Sequence, residues 1–354
     1  MTPIRSLGLA AAVALVCQIA SPFHAKAEPK VLASIKPVHS LVSAVMQGVA
    51  EPDILVDGAG SPHNYSLKPS QAGRLEKADL IFWVGHDLEA FLDKPLATLG
   101  KKALVVELSD SPGLLKLEQR EGGSFEAHDD DDHSTHQDHE KHEAHHDEHE
   151  KHDEKHDEEH EKHGEAGDHG ADDHEDGHHH GNVDLHYWLD PENAKVFVRE
   201  IATALIKVDA GNAETYKVNA AQTLARLDVL TQQLNTSLEP VRERPFVVFH
   251  DAYHYFENRF GLKAAGAITV NPDTLPGAER VTEIQKTVRD LQAACVFSEP
   301  QFEPRIVSVV LEKSDAKAAV LDPLGASLDN GPELYFNLMT QMATAFQTCL
   351  ANPS

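Results

Sequence analysis

Three histidines of this 354-residue chain sit where short apolar runs meet loops. His63 lies in DGAGSPHNYSLKPSQ, a Gly- and Pro-rich stretch following the apolar run DILV. His186 lies in DLHYWLDP, and His250 ends the apolar run of PFVVFHDAYHYFE. Two carboxylates occupy comparable positions, Asp322 after AAVL in AAVLDPLG and Glu299 after CVFS in CVFSEPQF. Any one of these alone reads better as the cap of a following helix. Their joint placement is what points to a metal site. Three imidazoles completed by a carboxylate or a water suit tetrahedral zinc, whereas a hard ion such as manganese draws more oxygen donors.

The remaining histidines divide into two groups. Seventeen of the 24 fall between His128 and His180, interleaved with acidic residues as in HEKHEAHHDEHEKHDEKHDEEHEKH. Apolar residues are almost absent there, so nothing offsets the entropy of ordering, and the tract over 126–180 is expected to stay disordered. Mixed imidazole and carboxylate offer many overlapping sites of middling affinity for zinc, copper and nickel. The tract therefore reads as a metal collector or sensor, with a solubilising spacer as the alternative. Outside it, His250 and His254 in HDAYH have the spacing of the metalloprotease H-E-x-x-H. That motif needs both histidines on one helical face, and VVFH reads as a strand, which places His254 beside the site. His39 and His86 read as surface or capping residues.

The elements that must position these residues show as alternating short apolar and helical stretches. Before the tract come VLASI, DILV, LIFWVG and ALVVEL, separated by helical patterns over 37–48, 69–78 and 88–99. After it come PFVVFH, AAGAITV, CVFSEP and AAVLDP, with helical patterns over 252–260, 277–291, 304–314 and 332–350. Such alternation predicts parallel sheets covered on both faces, hence two α/β lobes. Ligands of open parallel sheets gather outside the carboxyl ends of the strands, where His63 and His250 fall, one in each lobe. Between the lobes, Asn212 to Glu239 lacks internal Pro and Gly and spaces Leu224, Leu227, Leu234 and Leu238 helically. A single helix there would span about 42 Å, a strut rather than a crossover; a bent pair of helices is the alternative.

Near the start of the chain come Arg5, an apolar run from Leu7 to Ala20 and the small-x-small site Ala25-Lys26-Ala27, the layout of a signal peptide cut after Ala27. Two cysteines then remain, Cys295 and Cys349, and in an oxidising compartment they read as one disulfide, with two free thiols as the alternative. Of the net charge of −27, the tract from Glu126 to His180 carries −19, from 23 acidic residues against four lysines. The rest is only moderately acidic and shows no basic stripe, which argues against a nucleic-acid partner.

Taken in order, SPHNYSLKPSQ, LIFWVGHDLEAF, HYWLDPENA, FVVFHDAYHYFE, ITVNPDTLPGAER, CVFSEPQF and LDPLG resemble the ZnuA family, the zinc-binding components of bacterial zinc ABC importers among the cluster 9 (A-I) solute-binding proteins. The resemblance covers essentially the whole chain after the leader and includes the His-rich insertion. It implies two similar lobes, over 28–125 with 181–211 and over 241–354, joined by one long rigid helix over 212–240, with a metal cleft between them. It implies His63, His186 and His250 as ligands of Zn2+ and a disulfide between Cys295 and Cys349. Asp322 aligns with the carboxylate used by manganese-type relatives. Pro62 stands where some relatives carry an acidic residue, which leaves water, Asp322 or a tract residue as the fourth donor. It further implies a periplasmic monomer without enzymatic activity, serving an inner-membrane zinc ABC permease, with a periplasmic zinc chaperone as a further partner. A periplasmic zinc buffer and a zinc hydrolase are the competing functions.

Overall fold

A computed structural model describes residues 28–120, 122–125, 183–269, 272, 276–302 and 305–351. The leader expected over 1–27 and the His-rich tract over 126–180 lie outside the described residues. The first lobe runs β1 (Val31–Ile35), α1 (Lys36–Met46), β2 (Asp53–Val56), α2 (Pro69–Lys77), β3 (Leu80–Trp83), α3 (Asp93–Thr98) and β4 (Leu104–Glu107). After the tract come α4 (Pro191–Val208) and α5 (Ala213–Leu238). The second lobe then runs β5 (Phe246–His250), α6 (His254–Phe260), β6 (Ala264–Thr269), α7 (Ala278–Asp290), β7 (Cys295–Ser298), α8 (Arg305–Val310), β8 (Lys317–Val320) and α9 (Leu334–Leu350).

The two sheets have the same topology, β2-β1-β3-β4 and β6-β5-β7-β8, and all their pairings are parallel. Strand β5 is buried on both faces, so its alternating side chains serve two layers. Phe246 and Val248 join the main core, while Val247 and Phe249 face a smaller cluster with Ile268, Ile284 and Val288. Among the described residues, no helix is long and apolar enough to cross a membrane.

The strut forms as one helix. Tyr216, Ala220, Thr223, Leu227, Leu230, Leu234 and Leu238 are its buried residues, spaced by threes and fours along one stripe. Its 26 residues span about 39 Å, and short 3-10 turns over Ala210–Asn212 and Glu239–Val241 flank it. It packs on α1 and α4 of the first lobe and on α9 of the second. Two sequence expectations are corrected here. The helix expected over 88–99 is instead a 3-10 turn, Ala90–Leu92, followed by the short α3, because Pro95 has no N–H to continue a longer helix. The stretch read only as a return into the first lobe contains the 18-residue α4, started by Asp190, whose carboxylate accepts from Glu192 N–H at 2.9 Å, with Pro191 in the first turn.

One apolar core runs without interruption from β1 and β3 through α1, α4 and α5 to β5 and α9. Helix α1 is buried along its whole length because it is covered by its own sheet, α4, α5 and α9. Polar ties cross between the lobes as well. Arg259 of α6 holds the fully buried Asp190 with two 2.7 Å bonds, and Trp188 Nε1 donates to Pro323 O at 2.8 Å. Tyr335 OH donates to Trp188 O at 2.7 Å, and buried Lys36 donates to Leu328 O at 2.7 Å. Separating the lobes would expose this core at about 1.5–3 kcal/mol for each large side chain, which favours a fixed interlobe geometry.

Cys295 of β7 and Cys349 of α9 form a disulfide with a Cα–Cα distance of 6.1 Å, stapling α9 to the second sheet. Replacing both by Ser is expected to lower the unfolding free energy by about 2–4 kcal/mol, because the bridge closes a 54-residue separation. Urea denaturation of reduced and oxidised protein checks this, and equal midpoints would contradict it.

Candidate metal centre

The three histidines singled out by their surroundings meet. His250 is the last residue of β5, His186 directly precedes the 3-10 turn Tyr187–Leu189, and His63 lies on the β2–α2 loop. One ring nitrogen from each falls within 4.8 Å of the others, and among the described residues this is the one group of three or more His, Cys, Asp or Glu that converges so closely. Ring centroids are 5.1 Å apart for His186 and His250, and 5.5 and 5.8 Å from His63 to each. Pro62, Trp188, Phe302, Pro323 and Leu324 wall a cavity of about 10 Å3 between them, the size of one small occupant.

Two of the imidazoles are oriented by carboxylates. His186 Nδ1 lies 2.8 Å from Asp184 Oδ1, and His250 Nδ1 lies 2.7 Å from Glu299 Oε1. A carboxylate accepts, so each Nδ1 carries the hydrogen and, in the neutral ring, each Nε2 presents a lone pair. The two Nε2 atoms face each other at 3.2 Å. Two lone pairs at that distance repel unless a proton or a cation lies between them. Two nitrogens on a tetrahedral zinc, with bonds of about 2.0–2.1 Å, stand about 3.3 Å apart. The spacing of the nitrogens and the carboxylate–histidine pairing both fit a divalent metal.

The third imidazole is held differently. The bond found at His63 is from its backbone N–H to Ser61 Oγ at 3.3 Å, and the ring is held by contact with the other two rings. Burial, followed by the charges that His186 and His250 can carry, pushes its pKa down to about 2, so it presents a neutral ring at any physiological pH. His250 moves the other way. Burial lowers it, but the charge and hydrogen bond of Glu299, together with the charges of Asp251 and Asp184, raise it.

Asp322 is close to the cavity wall but otherwise engaged. Its carboxylate accepts from Leu324, Gly325 and Ala326 N–H at 3.1, 2.9 and 2.6 Å and from Gln301 Nε2 at 2.9 Å. It thus shapes the loop that supplies Pro323 and Leu324 to the cavity. Glu299, a candidate donor in the sequence, is the partner of His250. His254 opens α6 and is not one of the converging three; its Nδ1 faces Asp184 Oδ2 at 4.0 Å. His39 is not a surface residue: it is 6% exposed and its Nε2 lies 2.9 Å from Pro52 O, because α1 is buried on all sides. His86 is exposed and pairs with Asp93. Sequence reasoning missed Asp184, although its position two residues before His186 in D-L-H is the spacing that lets it reach that ring.

The family model described as the periplasmic component A of a zinc-uptake complex, ZnuA, matches residues 31–349. The high-affinity zinc uptake system protein ZnuA of Brucella suis is 54% identical over 321 residues, 91% of each chain. Among solved structures, a mutant of the laminin-binding adhesin of Streptococcus agalactiae has a TM-score of 0.66 at 22% identity, covering 91% of this chain and 99% of the adhesin. A zinc-bound ZnuA deletion mutant has a TM-score of 0.65 at 21% identity, covering 92% and 99%.

Because a metal needs the neutral ring, the raised His250 sets the pH response. Metal affinity is expected to be level at alkaline pH and to weaken by about tenfold per pH unit once His250 takes up a proton, from a pH above the ordinary imidazole value. Glu299→Gln removes the charge that raises His250 and should move that onset to lower pH. Chelator-competition titrations from pH 9 to about 5 check both expectations.

Proposed function

The chain belongs to the ZnuA family, and on that premise we propose that it captures one Zn2+ in the cleft between its lobes and delivers it to a membrane ABC permease for uptake. The observation that carries the reading is the pair of Nε2 lone pairs, 3.2 Å apart and fixed by Asp184 and Glu299, with His63 beside them. His63, His186 and His250 are the proposed ligands. Asp322 is outside the converging group and its carboxylate is engaged by its own loop, so we assign the fourth position to water. Three imidazoles and one oxygen favour zinc over manganese. Capture of a scarce ion calls for about nanomolar affinity, or about −12 kcal/mol.

The wider setting follows the family. The protein works as a monomer in the periplasm after cleavage near Ala27, with the zinc permease and a periplasmic zinc chaperone as partners. The lobes comprise 28–125 with 181–211, and 241–354, on either side of the helix over 212–240. The tract over 126–180 serves as an accessory zinc collector or sensor. Its described flank is tied close to the site, since Glu118 pairs with Val183, three residues before His186. A hydrolase is less well supported: His254 opens a different element from His250 and faces Asp184, leaving the site without the arrangement of H-E-x-x-H.

Protein lacking 126–180 is expected to bind one Zn2+ tightly, and His63→Ala in that background to weaken it by more than about 100-fold, beyond the loss of an outer partner. Chelator competition with a fluorescent zinc indicator measures both. Loss of tight binding on deleting the tract would sink the carrier reading in favour of a buffer.

A further inference from the structure

Helix α6 belongs to the second lobe, yet its residues grip the chain on both sides of the tract. Glu257 binds Arg120 at 2.7 Å, Arg259 binds Asp190, and Tyr255 reaches Leu117 and Asp184. Tyr255 is fully buried. Its hydroxyl accepts from Leu117 N–H at 2.9 Å and donates to Asp184 O at 2.9 Å. Leu117 and Asp184 are themselves paired, Asp184 N–H donating to Leu117 O at 2.9 Å. One hydroxyl therefore sits on the seam where the chain before the tract meets the chain after it.

Asp184 is also the residue that orients a proposed ligand. Its Oδ1 accepts from His186 N–H at 3.0 Å and from His186 Nδ1 at 2.8 Å. We propose that Tyr255 is a positioning residue for metal capture, fixing Asp184, and through it the His186 ring, from the opposite lobe. This rests on the zinc-carrier reading above. The hydroxyl and the ring have separable roles: the ring packs against Tyr187 with centroids 5.5 Å apart, whereas the hydroxyl alone spans Leu117 and Asp184. Its contribution is geometric. Without it the backbone at Asp184 gains freedom, and the His186 lone pair loses its alignment with that of His250.

The test uses the full mature chain, with zinc affinity measured by chelator competition and site geometry by the visible absorption of bound Co2+. Tyr255→Phe keeps the ring and is expected to weaken the tight site by about 10–100-fold and to alter the Co2+ spectrum. Asp184→Ala should do at least as much, and the double variant should be no weaker than Asp184→Ala alone, because the hydroxyl acts through that residue. Tyr216→Phe, which removes a bond to Asp209 at the start of α5, should lower the melting temperature and leave both metal readouts unchanged. Unchanged affinity and spectrum in Tyr255→Phe, or losses that add in the double variant, would overturn the proposal. Asp184→Ala reads the same link from its other end, and normal affinity there overturns it too, whether or not Tyr255→Phe folds. Unaltered protein that binds neither ion tightly would overturn the carrier reading, and the proposal with it.

Discussion

Two imidazole nitrogens pointed at each other at 3.2 Å form an arrangement that only a shared proton or a cation between them satisfies. Each ring is fixed from behind by a carboxylate, which sets the tautomer as well as the direction of the lone pair. The carboxylates are fixed in turn. Asp184 lies on a segment docked against α6, and Glu299 follows β7 at the carboxyl end of the second sheet. Misalignment at any of these levels would spread the nitrogens, so the rest of the fold can be understood by how it prevents that.

A continuous core through α1, α4, α5 and α9 does most of this work. In a two-lobed binder with a thin linker, the lobes rock apart readily; here α1 is buried on all sides and a 26-residue helix packs on both lobes. Arg259 with Asp190, and Arg120 with Asp251 and Glu257, add charged ties close to His186 and His250. Their value lies in where they sit. Breaking one partner of a buried pair leaves an uncompensated charge beside the site, so these ties define a register even where their net contribution to stability is small. On the carrier reading, metal release must then come from the loops, among which the His63 loop supplies the ring that has no carboxylate behind it among the described residues.

The chemistry of the site was more legible than its support. His63, His186 and His250 stood out because each interrupts an apolar or loop pattern with a metal-binding side chain, and two of them fall at the carboxyl ends of parallel strands. Asp322 and Glu299 stood out for the same reason, yet sequence gave no means of telling a ligand from a partner of a ligand. In the fold, Glu299 is turned onto His250 and Asp322 onto three backbone N–H groups. Helix α1 places Lys36, His39, Ser40 and Ser43 on one stripe that reads as solvent-facing in sequence, yet all four are buried in the fold.

By itself the sequence determined the two α/β lobes, the single long helix with its stripe of Leu at helical spacing, the cysteine pair and the three imidazoles. Those are properties of local pattern: period, punctuation and residue type act within one or two turns of chain. Only the tertiary structure decided that α6 of the second lobe would hold the segments flanking the tract, that Tyr255 and Asp184 would stand behind His186, and that two lone pairs would meet at 3.2 Å. Apart from the Asp184–His186 pair, which is two positions apart, these contacts join residues 64 to 138 positions apart, where chain periodicity carries no information and the packing of complete lobes sets the distance.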